Sequence, residues 1–316
     1  GHAGIHQLLL QCCGHPRSLF DGVKEEIRRN PTLLTNPTEA ALIEARQHII
    51  DTCKFNSFAD PYLQSVIPEW FSIFGMTPEF RGQLLRDGLL LEVKEIKETC
   101  FLPPLVLHHY AKTYAKNVSL CFHLQQAYAH DAVLEDGAEK KMEGLLYHYE
   151  AVLRKAVEGK TFTLKQFYQS KHCGERFDNL RVKAPVPEQT DLVERLPDFQ
   201  DKKRVLGKLK QGFIVVSDLQ NEAGIEYLAP FRTAEDNKLI VACVQCKFVK
   251  KSLNSSWREI QTKMSMATDW LKNQTFKHFP VIYTTAEKSS LQPQTYEAGI
   301  YFTEDDIFEF TKKLGV

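Results

Sequence analysis

The sequence lacks a charge excess of either sign: 40 Lys and Arg stand against 40 Asp and Glu in 316 residues, a formal net charge of +0. That balance removes the simplest case for a polyanionic partner, so nucleic-acid binding has to rest on a local basic patch. Long apolar runs are missing too. None approaches the ~20 residues that a spanning helix needs, and no membrane partner is expected. The first residues lack the basic-then-apolar layout of a signal peptide. Disorder is excluded from the opposite side, because 43% of the residues are hydrophobic and no net charge drives the chain apart. That length and apolar content suffice for roughly two domains with real cores.

Cysteine is sparse and scattered. Cys12, Cys13, Cys53, Cys100, Cys121, Cys173, Cys243 and Cys246 read as free, mostly buried thiols of a reducing compartment rather than as a disulfide framework. Cys243 and Cys246 have metal-like spacing, but strand positions three apart point to opposite faces, so the two thiols do not converge. Nucleotide and hydrolase signatures are also absent: there is no G-x-x-x-x-G-K-[ST], H-E-x-x-H, G-x-S-x-G or G-x-G-x-x-G.

What is present falls into two halves. Residues 1–136 read as helical throughout, with a Thr38-led run of helix formers and prolines at 61, 68, 78, 103 and 104 marking short helices and turns. The stretch from Gly137 to Gly159 reads as one amphipathic helix, with Met142, Leu145, Leu146, Tyr149, Leu153 and Ala156 at helical spacing. After the polar passage Lys183–Gln189 the period changes. Strands are expected at Phe213–Val216, Gly224–Leu228 and Leu239–Val249, then a helix from Trp257 to Leu271, then strands at Pro280–Thr284 and Gly299–Phe302 and a terminal helix. The fold class is therefore α+β, an all-helical region followed by an α/β domain over 137–316.

Chemistry concentrates in two strands. Alternation puts Gln245 and Lys247 on one face of their strand and Val244, Cys246 and Phe248 on the other. A lysine inside so apolar a strand is unusual, because an unpaired buried ammonium costs several kcal/mol. A hairpin centred between Glu235 and Asp236 sets Glu226 opposite Gln245, with Lys247 one pleat away. Two oxygen ligands beside a lysine suit Mg²⁺ or Mn²⁺ activating water against a phosphodiester, with Glu226 and Gln245 on the metal. A cross-strand ion pair on a solvated sheet face is the plain alternative. Basic residues flank this segment in two groups, Lys202, Lys203, Arg204, Lys208 and Lys210, then Lys247, Lys250 and Lys251. Such local patches serve phosphate contacts even when overall charge balances.

The acid followed by Gln-x-Lys, in the order long helix, three-strand meander, helix, strand, resembles the PD-(D/E)xK restriction-endonuclease-like superfamily in its Q-x-K variant. More narrowly, the chain resembles the C-terminal regions of Crinkler effectors and retrotransposon hot-spot proteins, and Gly14-His15-Pro16-Arg17-Ser18-Leu19 resembles the lid motif that follows their ATPase core. The resemblance implies a restriction-endonuclease-like domain with a mixed central sheet flanked by helices, and an ATPase-lid remnant before it. Glu226, Gln245 and Lys247 take the catalytic positions. A further acid from Glu143, Glu150 or Asp218 is implied, with no choice among them; Asp218 also reads as a turn cap. The implied role is a pathogen-secreted effector that acts in the host nucleus or cytoplasm, binds DNA and modulates cell death. Where the superfamily has Asp this chain has Glu226, and neutral Gln245 replaces a second acid. Both departures also fit a catalytically inactive module for host-protein contacts or self-association.

Overall fold

The computed structural model describes residues 22–35, 38–52, 60–86, 91–92, 100–101, 104–129, 138–218, 224–247, 257–272, 277–284, 299–303, 305–307 and 313–314. The chain divides into two compact units, one comprising Gly1–Phe71, Gly75–Tyr114 and Thr311–Val316, the other Ser72–Phe74 and Ala115–Phe310.

The first unit contains α1 (Lys24–Arg29), α2 (Glu39–Thr52), α3 (Asp60–Trp70), α4 (Pro78–Arg86) and α5 (Pro104–Tyr114). Two of these begin on proline, whose missing N–H is an orphan at that position in any helix. Leu33, Ile49, Val66, Ile67, Phe71, Leu84 and Leu107 are fully buried in this unit. The expectation of an all-helical N-terminal region is corrected here: β1 (Leu91–Glu92) and β2 (Cys100–Phe101) pair antiparallel, Leu91 opposite Phe101.

The second unit opens with α6 (Ser119–Ala129), packed on the long helix α7 (Ala138–Ala156). Then come β3 (Phe162–Thr163), α8 (Leu164–Tyr168), β4 (His172–Cys173), β5 (Arg181–Lys183), β6 (Val193–Leu196), α9 (Lys202–Gln211) and β7 (Ile214–Ser217). The remainder is β8 (Tyr227–Thr233), β9 (Leu239–Lys247), α10 (Trp257–Ala267), α11 (Asp269–Lys272), β10 (Lys277–Thr284) and β11 (Ile300–Phe302). The class is α+β, helices with one mixed sheet ordered β3-β5-β8-β9-β10-β11-β4, with β7 on β8 and β6 on β7. The hairpin register is the one read from the sequence: Tyr227 faces Val244 and Arg232 faces Leu239. Strand β10 runs parallel to β9, with Ile282 beside Gln245, and β11 runs parallel to β10.

One sheet face, built from Val215, Leu228, Val241, Cys243, Ile282 and Tyr301, packs with Val205 and Leu209 of α9, Met264 of α10 and Leu271 of α11. The other face lies under α7. One edge of β8 is shared, by β7 at Tyr227–Leu228 and by β5 at Arg232–Thr233. Pro230 sits in the gap between them, where its missing N–H breaks no ladder bond. Among the described residues no helix is long and apolar enough to cross a membrane.

Candidate functional site

Strands β6, β7, β9, β10 and β11 run parallel to one another and β8 runs against them. Their carboxyl ends, at Leu196, Ser217, Lys247, Thr284 and Phe302, therefore lie at the end of the sheet where β8 begins after Glu226. Helix α9 follows β6 and returns to the start of β7, so its first turn, with Lys202, Lys203 and Arg204, stands at this same end. Crevices outside carboxyl strand ends are where open α/β sheets bind ligands.

Gln245 occupies the α9–α10 face near the end of β9. It is 1% exposed, and among the described residues its Oε1 accepts no hydrogen bond. A buried carbonyl oxygen without a donor costs roughly 1–3 kcal/mol, so the position is not explained by packing. Lys247 closes β9 opposite Thr284 of β10.

Glu226 does not extend the register to Gln245. Its amide donates to the Val244 carbonyl at 2.8 Å, although Val244 already pairs with Tyr227. Ile225 and Leu228, three apart, both belong to the core cluster of the same face. Two residues set against one, with the alternation broken, make a β-bulge, and the candidate acid lies within it. Gly224, just ahead, has φ +98, and a Cβ there would come within 2.8 Å of the Lys263 backbone in α10. Only glycine combines that left-handed backbone with such close contact, so the segment leading into β8 is pressed against α10.

Of the helix acids, Glu150 lies on the opposite side of the sheet from Gln245. Its Oε1 accepts from Arg154 Nη2 at 2.9 Å and Nε at 3.3 Å, and its Oε2 accepts from the Tyr227 hydroxyl at 3.1 Å. Tyr227 shares its face with Val244, its partner, and so not with Gln245. Arg154 is fully buried, gives Nη1 to the Pro230 carbonyl at 2.6 Å and stacks 4.5 Å from the centre of the Phe231 ring. Burial, reinforced by the Glu150 carboxylate, holds the hydroxyls of Tyr168 and Tyr227 well above the usual phenol range, so they stay neutral donors. Glu143, seven residues before, is half-buried near the Tyr147 hydroxyl, where Asp218 also acts. Asp218 stands 3.6 Å from Arg195, whose other guanidine nitrogen donates to Tyr147 at 2.5 Å. Two of the three additional acids thus act on the Tyr147 hydroxyl, and the third is sealed away with Arg154.

Arg195 and Arg154 were not picked out by sequence. Arg195 sits in a four-residue strand too short for a period-2 pattern. Arg154 carried a usable signal, the i,i+4 spacing from Glu150 on a helix.

The basic residues of α9 divide. Glu194 of β6 engages Lys208 at 3.1 Å and Arg204 at 3.7 Å, while Lys202, Lys203 and Lys210 are exposed. Lys250, Lys251 and the Gly14–Leu19 motif lie outside the described residues. Cys243 and Cys246 are both buried and in no disulfide, Cys243 in the core cluster and Cys246 on alternate phase, and burial pushes the Cys243 thiol up.

Among the described residues no three His, Cys, Asp or Glu side chains come close enough to hold a metal ion. Of the donors foreseen for Mg²⁺ or Mn²⁺, Gln245 offers one neutral oxygen, the backbone of Glu226 lies in the bulge, and Glu150 lies across the sheet from Gln245. No family model, curated protein or solved structure matches this chain.

Proposed function

We propose that the unit built on Ala115–Phe310 is a nuclease-like DNA-binding domain that engages phosphate at the carboxyl end of its sheet and does not need cleavage to act. The observation that carries this is the order of elements around that end. The long helix α7 comes first; after β3 to β6, α8 and α9 comes the antiparallel three-strand meander β7–β8–β9, and after it α10, α11 and the strand β10, parallel to β9. The basic first turn of α9 stands beside it. Orphaned buried Gln245 Oε1 marks the same end as a place kept polar for a reason other than stability.

Binding without cleavage is favoured by the chemistry of two positions, Glu150 and Gln245. A carboxylate committed to a buried guanidinium is not free to take a divalent ion, and Gln245 brings no charge of its own. The resemblance to Crinkler effectors extends the reading to an effector that acts on DNA inside host cells.

Plasmid nicking and gel shift with Mg²⁺ or Mn²⁺, on the wild type and on Lys247→Ala, test the reading. The expected result is a shift at low salt, strongest for the wild type, and no nicking by either protein. A wild type that fails to shift DNA at low salt removes the reading. Metal-dependent nicking lost in Lys247→Ala would replace it with a working nuclease.

A further inference from the structure

Helix α9 spends an unusual residue on its outer surface. Val205 and Leu209 are buried against the sheet, so residues 203, 207 and 210, at i, i+4 and i+7, form a stripe on another side of the helix. Lys203 and Lys210 are exposed at the two ends of that stripe, about 10 Å apart along the axis at 1.5 Å per residue. Neither side chain has an ion pair among the described residues, whereas Glu194 holds Arg204 and Lys208 on the flank toward β6. No acidic residue occurs within Lys202–Gln211. Between the two lysines stands Gly207. A Cβ at this position would meet nothing within 4 Å, and its φ is not left-handed. Neither packing nor backbone conformation requires glycine here, yet apart from proline it is the poorest helix former.

One physical use of glycine that fits this position is close approach of another chain to bare backbone. The cations on either side of it select the charge of that chain. Past the helix C-terminus the ridge continues onto the sheet, where exposed Lys183 of β5 pairs in register with Arg232 of β8. The Arg232 guanidinium donates to the Lys210 carbonyl at 2.9 Å, which fixes a further positive charge beside Lys210.

We propose that a DNA strand lies along the outer stripe of α9, its phosphates held by Lys203 and Lys210 and its backbone drawn close over Gly207. This rests on the DNA-binding reading above and narrows it to one surface. It gives Arg204 and Lys208 a structural role with Glu194, and it adds Lys183 as an outlying contact.

The test pairs stability with affinity on the full chain, using a fluorescent duplex oligonucleotide titrated from about 50 to about 200 mM salt. Gly207→Ala should raise the melting temperature, by about 2–4 °C for a unit of this size, and should weaken DNA binding several-fold. Lys203→Gln with Lys210→Gln should leave the melting temperature unchanged and reduce the slope of log affinity against log salt by about 2. A Gly207→Ala protein that is stabilised and binds DNA as the wild type does overturns the inference while the DNA-binding reading stands. An unchanged salt slope in the double lysine variant does the same. A wild type that binds no duplex at low salt overturns both.

Discussion

The two faces of the sheet treat buried polar groups in opposite ways. Under α7, Glu150 receives hydrogen bonds from Arg154, Tyr168 and Tyr227, and Arg154 in turn covers the Pro230 carbonyl left open by the gap between β5 and β7. Under α9 and α10, Gln245 is as deeply buried, and its Oε1 has no donor among the described residues. Burial is equal; satisfaction is not. A closed network of charge and hydroxyls accounts for itself as structure, since every desolvated group has recovered a partner. An orphaned amide oxygen does not, and it lies at the sheet end where the basic first turn of α9 stands. The difference assigns Glu150 to the scaffold and leaves Gln245 as the residue to explain.

Arg154→Met should give the largest effect, because it leaves the Glu150 carboxylate buried without its cation and uncovers the Pro230 carbonyl. Breaking one partner of a buried pair costs about 3–5 kcal/mol, measurable as a shift in urea midpoint. Adding Glu150→Gln to the same chain should recover part of that loss, because the stranded charge is gone. A single-variant cost under about 1 kcal/mol, the range of exposed pairs, would mean that the guanidinium is solvated and that the two faces do not differ.

Acid should also find the α7 side. His123 of α6 is fully buried, accepts the Leu192 amide on Nε2 at 2.9 Å and meets His148 of α7, Nδ1 to Nδ1, at 3.1 Å. Burial, aided by the positive charge of Lys155, lowers its pKa from 6.5 to about 3; Asp191, 3.9 Å away and half exposed, does not offset this. The folded state thus binds its proton less readily than the unfolded chain does. Stability is complete above pH 6.5 and falls as the pH drops toward 3, by about 2 kcal/mol at pH 5 from this residue. Denaturation between pH 7 and pH 5 should show that slope in the wild type and a flatter one in His123→Gln, which keeps an acceptor for Leu192. Equal slopes would show that the imidazole is not neutral in the fold.

Sequence carried the long elements and the hairpin well, and for physical reasons. Polar Glu235–Asn237 between two apolar runs set the hairpin centre, and that centre fixed the pairing from Tyr227↔Val244 to Arg232↔Leu239. The period of Met142, Leu145, Leu146, Tyr149 and Leu153 marked α7 to within a few residues of its ends. Strands β3 to β6, of two to four residues, are too short to show a period and are held by neighbours far away in sequence, as Val182 is by Thr233. The bulge at Glu226 escaped for a related reason. Strict alternation set that acid beside Gln245, whereas Ile225 and Leu228 both reach the same core, and one extra residue has to be absorbed between them. Glu143 and Glu150, seven apart, share a helical face in sequence; only the position of Arg154 and the tyrosines separates the buried one from the accessible one.

The smallest expected effect sharpens the comparison most. Gln245→Met replaces an amide that lacks a donor with an apolar side chain of similar length, among the apolar residues around Cys243 and Ile282. Replacing an unsatisfied buried polar group by one of the same shape is neutral or stabilising, so the urea midpoint should stay or rise, by about 1 kcal/mol at most. Arg154→Met, the same kind of exchange on the other face, should go the opposite way. If Gln245→Met instead loses as much as a broken buried hydrogen bond, about 1–3 kcal/mol, then Oε1 has a partner in solution and the residue belongs to the scaffold after all. If stability holds while DNA affinity falls, the oxygen is retained against the preference of the core, as a binding residue is when stability and function compete.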